Sequence, residues 1–255
     1  MKSGTRKVGD FCWINMLTPQ PKEAMEFFGK VLGWTYFEMG TIGHGIRVGG
    51  RDVGGLYDLE GPNTPPGTRA HIGVMVKVNS ADAIVERVKS LGGEAKPAFD
   101  VFDAGRMAVC TDPNGAAFDP WEPKSLKGYD VDTRLHGAPS WFESLTTDVA
   151  RAEAFYTKLF GWQSEAMRTP DGDYITFKQG NDFIAGIMNA PKGMPIDKPM
   201  WNTYFTVDKV DETEALAKKL GANICVPSMD IPGVGRFCGI VSPQRVRFNV
   251  ITYSA

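Results

Sequence analysis

Two side chains of this 255-residue chain, Glu143 and His71, have the types and surroundings that suit proton transfer. Glu143 sits in Trp141-Phe142-Glu143-Ser144, an apolar run that reads as a strand. Desolvation there would raise its pKa toward that of a general base. The alternative is a structural ion pair with Arg236 or another cation. His71 opens the strand-like stretch 72–78, and an imidazole titrates near neutral pH. It reads equally well as a hydrogen-bonded histidine at a strand end. Asp119 and Glu122 suggest a carboxylate pair, but a spacing of three on a strand sends them to opposite faces. Arg106 and Arg236 each follow a glycine, in Gly105-Arg106 and Gly235-Arg236. Such a guanidinium either grips a carboxylate or phosphate of a ligand, or ties the preceding loop through Asp100 and Asp230.

The elements that must position these residues occur twice. Phe27-Phe28-Gly29-Lys30-Val31-Leu32-Gly33-Trp34 matches Phe155-Tyr156-Thr157-Lys158-Leu159-Phe160-Gly161-Trp162, 128 residues on. Lys89-Ser90-Leu91-Gly92-Gly93 matches Lys218-Lys219-Leu220-Gly221-Ala222, and Gly105-Arg106 matches Gly235-Arg236. Matches in one order at nearly one offset mean duplicated domains, because solenoid repeats are far shorter. The spacing predicts domains at 8–124 and 139–255, with a polar linker at 125–138. Within each copy the pattern reads as two β-α-β-β-β modules. Residues 11–17 alternate as a strand, and Ala24, Phe27, Phe28 and Val31 fall on one helical face that Gly33 ends. The second module repeats the plan, with a helix at 81–91, strands at 107–111 and 117–121, and Asp112-Pro113-Asn114-Gly115 as the turn between those strands.

Such modules cannot cover both sheet faces alone, so the fold class is α+β, with a curved mixed sheet, helices outside and a cleft inside each domain. Strand periodicity assigns Trp13 and Asn15 to one cleft, and Trp141 and Glu143 to the other. The two indoles are flat walls suited to a planar or apolar small molecule. Pro- and Gly-rich loops at 62–66 and 191–198 are placed to lid the clefts.

A net charge of −2 offers no basic stripe, which argues against a nucleic-acid partner. No apolar run approaches a membrane span. Cys12, Cys110, Cys225 and Cys238 lack any CxxC spacing and read as free thiols, which fits a cytoplasmic protein.

The ordered set F-[FY]-x-K-x-x-G-W, then L-G-[GA], then G-R ahead of a D-P turn resembles the glyoxalase/bleomycin-resistance/dioxygenase, or vicinal-oxygen-chelate, superfamily. The resemblance implies paired βαβββ modules and, in enzymatic members, a divalent metal held by His, Glu or Gln at four cleft positions. Carried over, those positions fall on Trp13 and Trp141; near Gly54-Gly55 and Ala185-Gly186; on His71 or Gly73, and Asn202; and on Asp119 and Asn249. This donor set does not suit a divalent ion, so neither a metal nor another cofactor is expected. The expectation is a small-molecule binder whose ligand meets Trp13, Asn15, Arg106, Asp119, Trp141, Asn202, Arg236 and Asn249. The alternatives are a glyoxalase-like lyase or isomerase using Glu143 or His71 as base, and a ring-cleavage dioxygenase relative, which requires an iron site. With four modules in one chain, a monomer or weak homodimer is expected.

Overall fold

The computed structural model describes residues 5–61, 64, 67–169, 172–190 and 198–254. The first copy runs β1 (Phe11–Thr18), α1 (Pro21–Leu32), β2 (Thr35–Glu38), β3 (His44–Val48), β4 (Arg51–Asp58), β5 (His71–Lys77), α2 (Ala81–Ser90), β6 (Glu94–Ala95), β7 (Phe99–Val101), β8 (Gly105–Met107), β9 (Cys110–Thr111) and β10 (Ala117–Pro123). The second runs β11 (Pro139–Thr146), α3 (Val149–Phe160), β12 (Gln163–Thr169), β13 (Gly172–Gln179), β14 (Asp182–Asn189), β15 (Met200–Thr206), α4 (Val210–Lys219), β16 (Asn223–Ile231), β17 (Gly235–Val241) and β18 (Arg247–Tyr253). The two sheets share one topology: β2-β3-β4-β1-β5-β10-β8-β7 corresponds strand for strand to β12-β13-β14-β11-β15-β18-β17-β16. The predicted strand at 107–111 is broken at Ala108–Val109 in the first copy, whereas β17 is continuous in the second.

Local chemistry explains the helices. Pro21 starts α1, where its missing N–H costs nothing, and Gly33 ends it at φ 66°. Asp148 caps α3 by accepting the Arg151 N–H at 3.0 Å. Both helices bury an apolar stripe, Ala24, Phe27, Phe28, Val31 and Leu32 in α1, and Ala152, Phe155, Tyr156 and Leu159 in α3.

What those stripes bury against differs from the expectation of helices on the outside. One continuous core spans both copies, with the helices lying between the two sheets. Phe28 meets Phe248 of β18 at 5.0 Å, and Phe118 of β10 meets Phe155 and Tyr156 at 6.0 and 5.7 Å. Phe11 stacks on Phe142 at 4.1 Å where the first strands of the two sheets meet. Tyr156 adds a polar tie, donating to Asp112 Oδ2 at 3.1 Å while accepting the Trp201 indole N–H at 2.9 Å. Each sheet therefore turns its helix-covered face toward the other domain and its cleft away from it.

The connecting segment 125–138 is less polar in its contacts than its composition suggests. Tyr129 and Val131 are buried, and the Tyr129 N–H donates to Cys12 O at 3.0 Å. Further on, the Trp34 indole donates to Gly137 O at 2.8 Å and Gly137 N donates to Thr206 O at 2.7 Å. The segment is thus laid across both sheets. Among the described residues no helix is long and apolar enough to cross a membrane.

Candidate functional site

The first cleft is assembled by strand register. Trp13 of β1 lies opposite Met75 of β5, and Asp119 of β10 lies beside the same Met75, so all three face the concave side. One row on, Asn15 lies between Gly55 and Gly73. Trp121 lies opposite Met107. These strands enclose a cavity of about 410 Å³ lined by Trp13, Asn15, Tyr57, Met75, Met107 and Trp121. Its mouth is formed by the loop 39–42 and by Phe102. Phe102 adopts φ 48°, a left-handed conformation costly for a bulky side chain, and remains 73 % exposed.

The polar groups of this cavity are few. The Asn15 amide N–H donates to Met75 Sδ at 3.3 Å, while Asn15 Oδ1 is fully buried and without a partner among the described residues. The Trp13 indole hydrogen-bonds the Tyr57 hydroxyl, and burial raises the Tyr57 pKa, keeping the phenol protonated. Asp119, expected to meet the ligand, is not among the cavity-lining residues; it has no ion-pair or hydrogen-bond partner among the described residues, and burial pushes its carboxyl up to about 7.

The second cleft repeats the plan with different wiring. Trp141, Tyr204 and Asn249 share one row, and Glu143, Asn202 and Arg247 belong to the next. Glu143 is 8 % exposed, and both of its oxygens are engaged: Tyr204 donates to Oε1 at 2.9 Å and Tyr174 donates to Oε2 at 3.1 Å. The Trp141 indole in turn donates to Tyr174 Oη at 2.9 Å. Burial raises the Glu143 pKa, opposed by the two tyrosine hydroxyls and the charge of Arg247. Of the cations suggested for Glu143, Arg236 or another, the charge nearby is that of Arg247, while Arg236 binds Asp211 and Asp230.

Both arginines of the G-R turns hold the scaffold. Arg106 binds Asp82 in the first turn of α2 at 2.8 and 3.0 Å and reaches Ala98 O and Asp100. Arg236 binds Asp211 in the first turn of α4 at 2.8 to 3.1 Å, and Asp230 at 3.0 Å. Arg106 is not among the cavity-lining residues, and Arg236 lies on an open groove beside α4. These contacts match the scaffold reading, with the tie through Asp100 and Asp230 present and the helix carboxylates Asp82 and Asp211 as further partners, rather than the reading in which the two arginines meet the cleft ligand. Glu122 is turned away from Asp119 and accepts the Ala81 N–H at 2.9 Å. His71 opens β5 and is not among the cavity-lining residues, its Nδ1 2.8 Å from Arg69 O, with burial lowering its pKa. The parts of the suggested lid loops at 62–63, 65–66 and 191–197 lie outside the described residues.

Register also settles the metal positions that the resemblance implied. Asn202 lies opposite Glu143 as Gly73 lies opposite Asn15, so the third position in the first copy is Gly73. The second positions, Gly55 and Gly186, are each covered by a tyrosine. A Cβ there would lie 2.3 Å from Tyr57 Oη in one cleft and 1.9 Å from Tyr174 Oη in the other. Any larger residue would collide with the phenol. The positions therefore hold Trp13, Gly55, Gly73 and Asp119 in one cleft, and Trp141, Gly186, Asn202 and Asn249 in the other. One carboxylate against an indole and two glycines, or two amides against an indole and a glycine, do not fit a divalent ion. Among the described residues, no three His, Cys, Asp or Glu side chains converge elsewhere as a metal-binding group.

Duplicated βαβββ modules, two sheets of one topology packed through their helices, and a cleft on the far face of each define a class of fold. The chain belongs to the Glyoxalase/Bleomycin resistance protein/Dioxygenase superfamily, whose family profile matches residues 11–119. CFP32 of Mycobacterium tuberculosis (strain CDC 1551 / Oshkosh), named a putative glyoxylase, is 32 % identical over 246 residues, covering 94 % of this chain and 93 % of its own. The anthracycline biosynthesis protein DauV of Streptomyces sp. (strain C5) is 27 % identical over 255 residues, covering 94 % and 91 %. Among solved structures, the Mn(II)-bound glyoxalase from Novosphingobium aromaticivorans superposes with a TM-score of 0.66 at 15 % identity, over 98 % of this chain and 83 % of that one. The 2,2',3-trihydroxybiphenyl 1,2-dioxygenase of Sphingomonas wittichii strain RW1 gives 0.65 at 13 %, over 96 % and 91 %. The structural likenesses establish the shared fold.

Proposed function

We propose that the first cleft binds a small, planar, largely apolar molecule without a metal ion. The observation that carries this reading is the cavity of about 410 Å³ walled by Trp13, Trp121, Met75 and Met107. Its volume falls within the range of roughly 300–1,000 Å³ usual for small-molecule sites, and its walls are aromatic and thioether surfaces that suit a flat ring. The relative named for anthracycline biosynthesis supports the same class of ligand, a fused-ring aromatic. The Tyr57 phenol over Gly55 supports metal independence, because it fills the space that a ligating side chain at that position would need.

The test is a titration of naphthalene into the chelator-treated protein, followed by tryptophan fluorescence, with and without added Mn²⁺, Ni²⁺, Zn²⁺ or Fe²⁺. The expected result is saturable quenching with a Kd that is the same in all conditions. Binding that requires a divalent ion, or a large metal-induced rise in Tm, would overturn the reading.

A second reading, a lyase or isomerase reaction, rests on His71. Its lowered pKa leaves the imidazole neutral and able to accept a proton at pH 7. Glu143 suits the role of base less well, because tyrosine hydroxyls engage both of its oxygens.

A further inference from the structure

The two clefts carry the same indole–phenol pair over the same glycine, yet they end differently. In the second, Tyr174 accepts the Trp141 N–H and passes its own proton to Glu143. In the first, Tyr57 accepts from Trp13, but Asn15 stands where Glu143 would. Among the described residues no acceptor takes the Tyr57 proton, and no donor reaches Asn15 Oδ1. Both groups line the cavity. A buried acceptor left unpaired costs on the order of 1–3 kcal/mol, so the first cleft carries a donor and an acceptor that only a guest can satisfy.

We propose that the first cleft selects planar molecules bearing a hydrogen-bond acceptor and a hydrogen-bond donor on one edge. The acceptor takes the Tyr57 O–H, and the donor gives its proton to Asn15 Oδ1. This rests on the planar-ligand reading above and names the chemistry within it: a ring lactam, or a ring carrying a carbonyl with a hydroxyl free to point outward. A ring whose hydroxyl is already bonded to its own carbonyl keeps only half of the match. The second cleft has its donor satisfied by Glu143 and lacks this selectivity. A site built around such paired groups rejects analogues that cannot fill them, because the protein's own groups are then left buried and unpaired.

The experiment compares three flat bicyclic probes of similar size: 2-quinolone, with N–H and C=O side by side; N-methyl-2-quinolone, without the donor; and naphthalene, without either. Wild type is expected to bind 2-quinolone at least tenfold more tightly than N-methyl-2-quinolone, and more tightly again than naphthalene. Tyr57→Phe should cut 2-quinolone affinity about tenfold while leaving naphthalene within about twofold. Asn15→Leu removes the acceptor at similar side-chain size, and it should abolish the preference for 2-quinolone over its N-methyl derivative. Equal affinity for the three probes in wild type, or a preference for 2-quinolone over naphthalene unchanged by Tyr57→Phe, overturns this inference and leaves the planar-ligand reading standing. Failure of all three to bind overturns both.

Discussion

Phe248→Ala is expected to lower stability by about 3–5 kcal/mol, the cost of deleting a fully buried aromatic side chain. Phe248 is 0 % exposed and packs against Phe27 and Phe28 of the other domain at 6.3 and 5.0 Å, and against Phe205 of its own at 6.3 Å. The side chain belongs to a strand of the second sheet but covers a helix of the first copy, so the void opens between domains. The account therefore predicts one cooperative transition that moves as a whole, by roughly 10 °C for a chain of this size. Near-UV and far-UV circular dichroism followed through thermal unfolding checks this. Two separated transitions, with only the second-domain signal displaced, would mean that the shared core does not couple the copies.

Asp119→Asn is expected to have the opposite sign and a strong pH dependence. The Asp119 carboxyl is raised to about 7 by burial, against 3.8 for an unperturbed aspartate. Between those values the folded state binds more protons than the unfolded state, so wild-type stability falls as pH rises through that window. The loss is complete above about pH 7. The amide does not titrate, so the variant should match wild type near pH 4 and exceed it by about 2–4 kcal/mol at pH 8. Urea midpoints measured at both pH values provide the check. A variant destabilised at pH 8 would show that the ionised carboxylate has a partner that favours its charge.

Much of the scaffold was legible because it depends on local periodicity. The α1 stripe of Ala24, Phe27, Phe28 and Val31 is buried as its spacing requires, and the terminating Gly33 is left-handed. Alternation likewise placed Trp13 and Asn15 in one cleft, and Trp141 with Glu143 in the other. Periodicity identifies an apolar face but not its cover, which is why Phe28 lies on Phe248 of the other domain rather than on the outside of its own. The phenols over Gly55 and Gly186 were hidden for a related reason. Tyr57 comes from β4 and Tyr174 from β13, so laying one copy over the other does not align them. Only the two glycines in equivalent places hinted that something else needed the room. The acidic partners of Arg106 and Arg236 were equally remote, since Asp82 and Asp211 lie 24 and 25 residues away on helices.

The two clefts differ most at one position: Glu143 accepts both tyrosine protons in the second, whereas Asn15 leaves the Tyr57 proton and its own Oδ1 without partners among the described residues in the first. The most direct test of this difference is the stoichiometry of 2-quinolone binding by tryptophan quenching in wild type, Trp13→Leu and Trp141→Leu, each checked for native circular dichroism. The account predicts one site per chain in wild type, weakened at least tenfold by Trp13→Leu and kept by Trp141→Leu. Binding that survives Trp13→Leu and disappears in Trp141→Leu would contradict it.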